Sequence, residues 1–596
     1  MDSQKITPSK KGINFIVGIF AIVGGLTVLG GFLFVIIILA FSGDGPVPDQ
    51  TILEINFEKS FIEYVYDDPF SIAAFGSQAS VRDIVDALER ASEDKRVKGF
   101  VARVGGQTMG MAQIQEIRDA VIAFRKSGKP AVVFSETFGE MGPGNGSYYL
   151  STAFDKIYLQ PSGSLGLTGI MYEGMFLKGF FEKVGLVPRG DRRYEYKNAF
   201  DQFMQTEFTK YHEEALQAVM NSHFGQMLNG IAEGRNMEEQ QVRTLFDNGP
   251  FLAREALDAD LVDGLLYRDQ VYDQLREEVG EGSQFLYLSK YLKRAGRVHK
   301  NGTKIALIYG VGTIMRGAGG IDPLSLEPSM GSEQVIRPFK AALKDPEVKA
   351  ILFRVDSPGG SAIASDTIWR EVARAVENDI PVIVSMGNVA GSGGYYIAMP
   401  ATKIIAQPGT ITGSIGAYGL KMLTNEIWEK LGITWDDIST STNSTVWSTT
   451  HDYTPEQWDK LQQWLDNVYE DFTGKVAAGR GMSLEKVLEV AKGRIWTGED
   501  ALEHGLVDEL GGFSTALDLI RDELSLEEDA PLNISLFPKP KSLFESFLAE
   551  GDDSSEPDNI LARSVRSLQP VTDLLRQAGV FSNQGVLTMP GIYKIK

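Results

Sequence analysis

The chain contains one long pattern twice. GNGSYYLSTAFDKIYLQPSGSLGLTG, from Gly144 to Gly169, returns as GSGGYYIAMPATKIIAQPGTITGSIG, from Gly391 to Gly416. Tyr148 and Tyr149 fall on Tyr395 and Tyr396, Lys156 on Lys403 and Pro161 on Pro408, all at an offset of 247. Upstream, VKGFVARVGG from Val97 is matched by VKAILFRVDS from Val348. Downstream, EALDADLVDG from Glu255 is matched by DALEHGLVDE from Asp500. Three matching stretches in one order over about 250 residues describe a duplicated domain, because solenoid repeats are far shorter.

Each copy reads as α/β. The runs Ile351–Val355 and Pro381–Ser385 are rich in β-branched residues and bounded by Gly or Pro, as buried strands are. Between them Ile368, Val372, Ala375 and Val376 recur at helical spacing. Ile114, Ile117, Val121 and Phe124 do the same in the first copy. Strand–helix–strand alternation with short links predicts parallel sheets. The copies are expected at 50–285 and 303–525, with a basic linker near Glu281–Thr303 and a tail over 526–596. The tail holds an acidic stretch, Glu550–Glu556, and ends in VLTMPGIYKIK, which could add a strand back onto the body.

Ahead of the first copy, Phe15–Phe41 is an uncharged, mostly apolar run of 27 residues, long enough to cross a bilayer. A cleaved signal would have a shorter apolar region and a small-residue cleavage pattern, whereas this run ends Leu39-Ala40-Phe41-Ser42. A retained transmembrane anchor is therefore expected over 13–42. Lys5, Lys10 and Lys11 precede it and Asp44 and Asp49 follow. The excess of positive charge puts residues 1–12 in the cytoplasm and the body outside. The net charge is −21, and three Lys against one Asp in the first twelve residues leave −23 for the remainder. So acidic a body argues against nucleic acid as a partner. Cysteine is absent, which removes thiolate nucleophiles and Cys-based metal sites. No metal, nucleotide or cofactor signature is present.

The chemistry sits in the second copy. DSPGGS, Asp356–Ser361, follows a strand directly, and its glycine pair lets backbone N–H groups approach a ligand closely. Such donors can form an oxyanion hole, although tight turns use Gly pairs constantly. NVAGSGGYY, Asn388–Tyr396, then sets Ser392 in a glycine cradle at a helix start. A serine there is either an N-cap or a nucleophile favoured by the helix dipole and by the Gly393 N–H. A nucleophilic serine needs a base. His212, His223, His299, His451 and His504 lie in no recognisable catalytic pattern, and His212 and His223 read as surface residues of a helix. Lysine remains, provided burial or nearby positive charge lowers its pKa. The residues alone do not select which lysine.

DSPGGS, SMGNVAGSGGYYIAMPA and TGSIG, in that order and spacing, resemble the peptidase family that includes signal peptide peptidase A, and the anchor and two copies resemble its long form. The resemblance implies the fold of Clp protease and the crotonases, and a Ser/Lys dyad shared between the copies. Tyr196-Lys197-Asn198-Ala199 matches the segment that carries the base, apart from Asn for Ser. The resemblance thus implies Lys197 as general base, Ser392 as nucleophile and Ser414 as the hydroxyl that orients the lysine. Gly360 or Gly359, with Gly393, would hold the oxyanion, and Arg192 and Arg193 could depress the lysine pKa. It further implies remnant signal peptides as substrates, a homotetramer, and a bacterial inner-membrane location with the body on the periplasmic side. The duplication points the same way: Asn145 stands where the second copy has Ser392, and the offset carries Lys197 onto Ser444. Two other classes fit less well. An acyl-CoA enzyme of the crotonase type would be anchored on the wrong side of the membrane from CoA esters. A non-catalytic envelope scaffold would have no use for a second copy with every motif intact.

Overall fold

The computed structural model describes residues 45–64, 78–106, 109–321, 327–538 and 587–588. The predicted anchor over 13–42 and the acidic stretch Glu550–Glu556 lie outside the described residues. No described helix is long and apolar enough to cross a membrane.

The first copy contributes β1 (Thr51–Asn56), β2 (Val97–Val104), β3 (Ala131–Ser135), β4 (Lys156–Leu159), β5 (Ser164–Leu165), β6 (Val187–Arg192), β7 (Phe251–Leu252), β8 (Gly264–Leu265) and β9 (Gln284–Tyr287). The second contributes β10 (Thr303–Val311), β11 (Thr313–Met315), β12 (Gly320–Ile321), β13 (Pro328–Gly331), β14 (Val348–Ser357), β15 (Gly359–Gly360), β16 (Val382–Gly391), β17 (Lys403–Ala406), β18 (Ile411–Gly413), β19 (Tyr418–Leu423), β20 (Ile495–Thr497), β21 (Glu509–Leu510) and β22 (Leu532–Leu536). From the tail comes β23 (Leu587–Thr588). Six helices matter below: α1 (Met111–Arg125), α2 (Asn145–Ser151), α3 (Lys210–Arg235), α4 (Ala362–Glu377), α5 (Gly393–Ala398) and α6 (Pro455–Arg480).

The duplication is visible strand by strand. The first sheet runs β8-β4-β3-β2-β1-β9, and the eight-stranded second sheet repeats that order as β21-β17-β16-β14-β10-β22, with β18 and β20 added beside β16; every neighbouring pair along the two six-strand paths is parallel. Each copy also carries a small antiparallel pair, β5 with β7 and β18 with β20. Tertiary ties repeat as well. Tyr148 Oη donates to the Leu261 carbonyl at 2.7 Å, and Tyr395 Oη to that of Leu506 at 2.9 Å. Asp263 accepts from Ile157 N–H and pairs with Arg235, just as Asp508 accepts from Ile404 N–H and pairs with Arg480. The second copy runs past its expected end at 525, because β22 pairs with β10 and completes the sheet.

Parallel strands are covered on both faces, so they read as continuous apolar runs. All five residues of β3 are buried, as are Ile351, Leu352, Phe353 and Val355 of β14. Each buried Val, Ile, Leu or Phe side chain among them stabilises the fold by about 1.5–3 kcal/mol. Ser361 caps α4 by accepting from Ala364 N–H, and the helix buries Ile368, Val372 and Ala375. Helix α1 buries its apolar face in the first core and also buries Gln113, Gln115 and Glu116. Polar groups are tolerated there because each is hydrogen-bonded. Gln115 Oε1 accepts from Gly409 N–H at 2.7 Å and Glu116 Oε2 from Arg354 at 2.7 Å, while Gln113 Nε2 donates to Glu63 of its own copy at 2.9 Å and its backbone N–H to Asn388 Oδ1 at 3.2 Å. A second seam is strand pairing: β6 of the first copy lies antiparallel to β19 of the second, with Arg192 opposite Tyr418.

Candidate active site

Strand β16 ends at Gly391 and α5 begins at Gly393, so Ser392 occupies the turn between them. Its φ is +53°, a conformation that costs a non-glycine residue about 1–3 kcal/mol. The backbone is held there by Ser392 N–H donating to Gly413 O at 2.8 Å. The side chain makes no capping bond to the helix. Its Oγ lies 2.7 Å from Lys197 Nζ instead.

Lys197 comes from the first copy and is fully buried. Just before it, β6 is stitched to β19, and the chain beyond keeps bonding to the second copy: Arg193 N–H donates to Ala417 O and Tyr196 N–H to Lys492 O. Gly493 closes the other side. A Cβ at that position would stand 2.6 Å from Lys197 Cα, so only glycine lets the two backbones meet.

The ammonium end has three partners: Ser392 Oγ, Ser414 O at 2.9 Å and Ser414 Oγ at 3.0 Å. A neutral amine has two N–H donors and one lone pair. It can give its hydrogens to Ser414 and accept the Ser392 hydroxyl proton. Burial pushes the Lys197 pKa well below its ordinary value, since an ionised ammonium here would lose its water without gaining a carboxylate. The arginines expected to help do not supply that effect. Arg192 binds Asp201 Oδ1 at 2.5 Å and the Lys197 carbonyl at 3.2 Å, and Arg193 binds Asp466 and the Gln462 carbonyl. Their charges are answered by carboxylates, and their role is to hold the segment that carries the lysine.

Of the two glycines in DSPGGS, Gly359 gives its N–H to Ser357 Oγ at 3.2 Å. Gly360 is drawn in beside Ser392: a Cβ on Gly393 would stand 3.0 Å from Gly360 N. Gly393 N–H, at the first position of α5, has no intrahelical partner to reach.

The five histidines stand elsewhere. His212 and His223 are buried, contrary to expectation: His212 lies against Asp201 and Phe208 of its own copy, and His223 packs against the second; burial lowers both pKa values to about 4. His223 Nε2 bonds Gly409 O. His299 and His451 pair with Glu89 and Asp437, and the His504 ring packs on Trp496.

The altered copy shows what the site becomes without its hydroxyl. Asn145 opens α2 as Ser392 precedes α5, and its amide closes the loop, donating to Gly169 O and accepting from Thr168 N–H. Ser444 lies in an exposed loop against Ser441.

Beneath the site is a charged cluster that sequence reasoning did not identify. Arg354, in the middle of β14, bonds Glu63 Oε2 at 3.0 Å, Glu116 Oε2 at 2.7 Å and Ser385 Oγ at 2.9 Å. Both glutamates belong to the first copy, and all three side chains are buried. Two residues on, Asp356 accepts from Val389 N–H at 2.9 Å, tying β14 to the strand that ends at Ser392. Burial, with Glu63 nearby, pushes the Asp356 pKa up to about 7. The available signal was a charged residue inside an apolar strand run, present in both copies as Arg103 and Arg354.

This geometry can be compared with known proteins. Peptidase family S49 matches residues 123–281 and 374–527, one stretch in each copy. The chain is 30% identical over 485 residues to "Serine protease SPPA, chloroplastic" of Arabidopsis thaliana, covering 80% of this chain and 70% of that one. It is 32% identical over 450 residues to "Protease 4" of Salmonella typhi, covering 74% and 71%. A protein of Enterococcus faecium named as a signal peptide peptidase is 36% identical over 190 residues, 32% of this chain and 55% of that one. Matches in both copies and over most of the length leave one conclusion: the chain belongs to peptidase family S49.

Proposed function

We propose that this serine protease hydrolyses peptide bonds through a dyad of Ser392 and Lys197. The observation that carries the reading is the 2.7 Å contact between Ser392 Oγ and a buried lysine that has no carboxylate partner among the described residues. Neutral Lys197 takes the hydroxyl proton as Ser392 Oγ bonds to the carbonyl carbon. Gly360 and Gly393 N–H groups hold the oxyanion that forms. The C–N bond breaks, and Lys197 returns its proton to the leaving amine. Lys197 then takes a proton from water, whose oxygen attacks the acyl carbon. The ester bond breaks and the proton goes back to Ser392 Oγ. Ser414 orients the amine throughout. The repeated six-stranded parallel sheet, with the nucleophile at a strand-to-helix turn, supports reading each copy as a Clp protease/crotonase-like unit.

The substrates we assign are remnant signal peptides, hydrolysed by a body anchored through residues 13–42 and facing the periplasm. Support comes from the apolar run Phe15–Phe41, its flanking charges and the name of the Enterococcus relative. Assembly as a homotetramer belongs to the same proposal. The deciding experiment is peptidase assay of the full chain in detergent on a synthetic signal peptide, with Ser392→Ala and Lys197→Ala as controls. Hydrolysis equal in all three would remove the reading.

A further inference from the structure

Strand β15 is two glycines long and has two edges. Strand β11 takes one: Ile314 and Gly360 are partners, and Ser361 N–H donates to Ile314 O at 2.9 Å. Residues of an extended strand alternate in the edge to which they present N–H and C=O. Gly360 therefore aims its N–H away from β11, toward the other edge. That edge is taken by the C-terminal tail, with β23 running antiparallel to β15, Gly359 opposite Thr588 and Gly360 opposite Leu587.

This is the edge a substrate needs. A carbonyl attacked by Ser392 and held by Gly360 N–H must belong to a backbone lying along β15. Its surroundings suit a passing backbone. Gly359 has φ +96°, and a Cβ on Gly360 would stand 2.1 Å from Ile314 O, so neither position admits a side chain.

We propose that Leu587–Thr588 is an intramolecular ligand of the substrate-binding edge. It lies where an extended peptide must lie, excludes that peptide, and is displaced by one that pairs the same way. This rests on the assignment of Gly360 to the oxyanion. Two paired residues supply one or two backbone hydrogen bonds, each worth about 0.5–1.5 kcal/mol net. So short a contact is a reversible plug. Residues 539–586 lie between the body and β23, and at roughly 3.3–3.6 Å per residue they do not restrict its reach.

The test uses the full chain carrying Ser392→Ala, with and without Leu587→Pro and Thr588→Pro together. The probe is a fluorescein-labelled peptide of sequence GVLTMP, copied from Gly585–Pro590. Proline removes both N–H groups from β23. A tethered competitor acts at up to roughly millimolar effective concentration, so the proline variant should bind the probe about tenfold tighter. Hydrogen exchange over Gly359–Ser361 should be faster in the variant. Equal affinity in the two proteins would overturn the proposal, even with faster exchange, because the tail would then lie outside the substrate's path. Unchanged exchange would overturn the pairing itself. A Ser392 hydroxyl that resisted serine-directed reagents in a chain carrying both proline substitutions and an intact Ser392 would instead sink the catalytic reading, and probe binding would still decide the tail.

Discussion

Lys197 and Ser392 are 195 residues apart in the chain and 2.7 Å apart at their side-chain ends. They come from different copies of one duplicated unit. Neither copy has the pair: Asn145 stands where the second copy has Ser392, and the segment around Lys197 has no clear counterpart in the second copy. Joining the copies is thus a condition of the proposed chemistry, and the ties between them are its most direct targets for substitution.

Ser392→Ala and Lys197→Ala should each lower peptide hydrolysis by about a thousandfold or more, and the double variant should be no worse than either single one. Residues that act as a unit lose their whole contribution together. Steady-state rates on one peptide, with circular dichroism to verify the fold, check this. Additive losses would mean that the two residues act separately.

The rate should rise with pH from the acid side along a single limb set by Lys197. The folded-state pKa of this lysine lies below its unfolded value, so the unfolded chain binds the extra proton and stability should also rise with pH across that interval. Lys197→Met removes the cost of burying an ionisable amine and should raise the melting temperature at neutral pH while abolishing activity. A rate limb near pH 6.5 that vanished on replacing one histidine would point to imidazole instead.

Ser414→Ala should lower kcat about tenfold and leave KM nearly unchanged. One hydrogen bond to Nζ is lost, worth about 1–1.5 kcal/mol, while the Ser414 carbonyl still holds the amine. A silent substitution would make this hydroxyl a turn residue only.

Gly493→Ala should act through Lys197 alone. The added Cβ collides with the lysine backbone at 2.6 Å, and φ at this position is +82°. The expected result is a kcat reduced tenfold or more, with labelling of the protein by peptide probes retained. Wild-type turnover would show that the segment has room to shift.

Arg354→Met should destabilise the protein by about 3–5 kcal/mol, because Glu63 and Glu116 would stay buried without their cation. Adding Glu63→Gln and Glu116→Gln should recover much of the loss. Chemical denaturation of the three proteins measures both steps.

Asp356 gives a second pH signature, of opposite sign to that of Lys197. Its folded pKa of about 7 lies above its ordinary value, so the folded chain holds the proton and stability falls as pH rises from about 4 through about 7. Asp356→Asn should flatten that decline. An unchanged slope would assign it to other carboxylates.

The sequence alone determined the duplication, the α/β class and the glycine-bounded turn at Ser392. Each rests on local pattern. Apolar runs such as Ile351–Val355 must be buried on both faces, Ile368, Val372 and Ala375 recur at helical spacing, and glycines on both sides of Ser392 mark a turn where backbone must come close. Resemblance, rather than periodicity, singled out Lys197, since the segment around it has no clear counterpart in the second copy. Tertiary structure decided how that lysine comes to lie buried against Ser392. Strand β6 must find β19, Gly493 must leave room, and only the closed joint between the copies strips water from the amine. The same joint buries His223, which read as surface in the sequence, and brings Glu63 and Glu116 of one copy onto Arg354 of the other. Contacts between residues hundreds of positions apart leave no local period, so burial at such a seam can be read only from the folded chain.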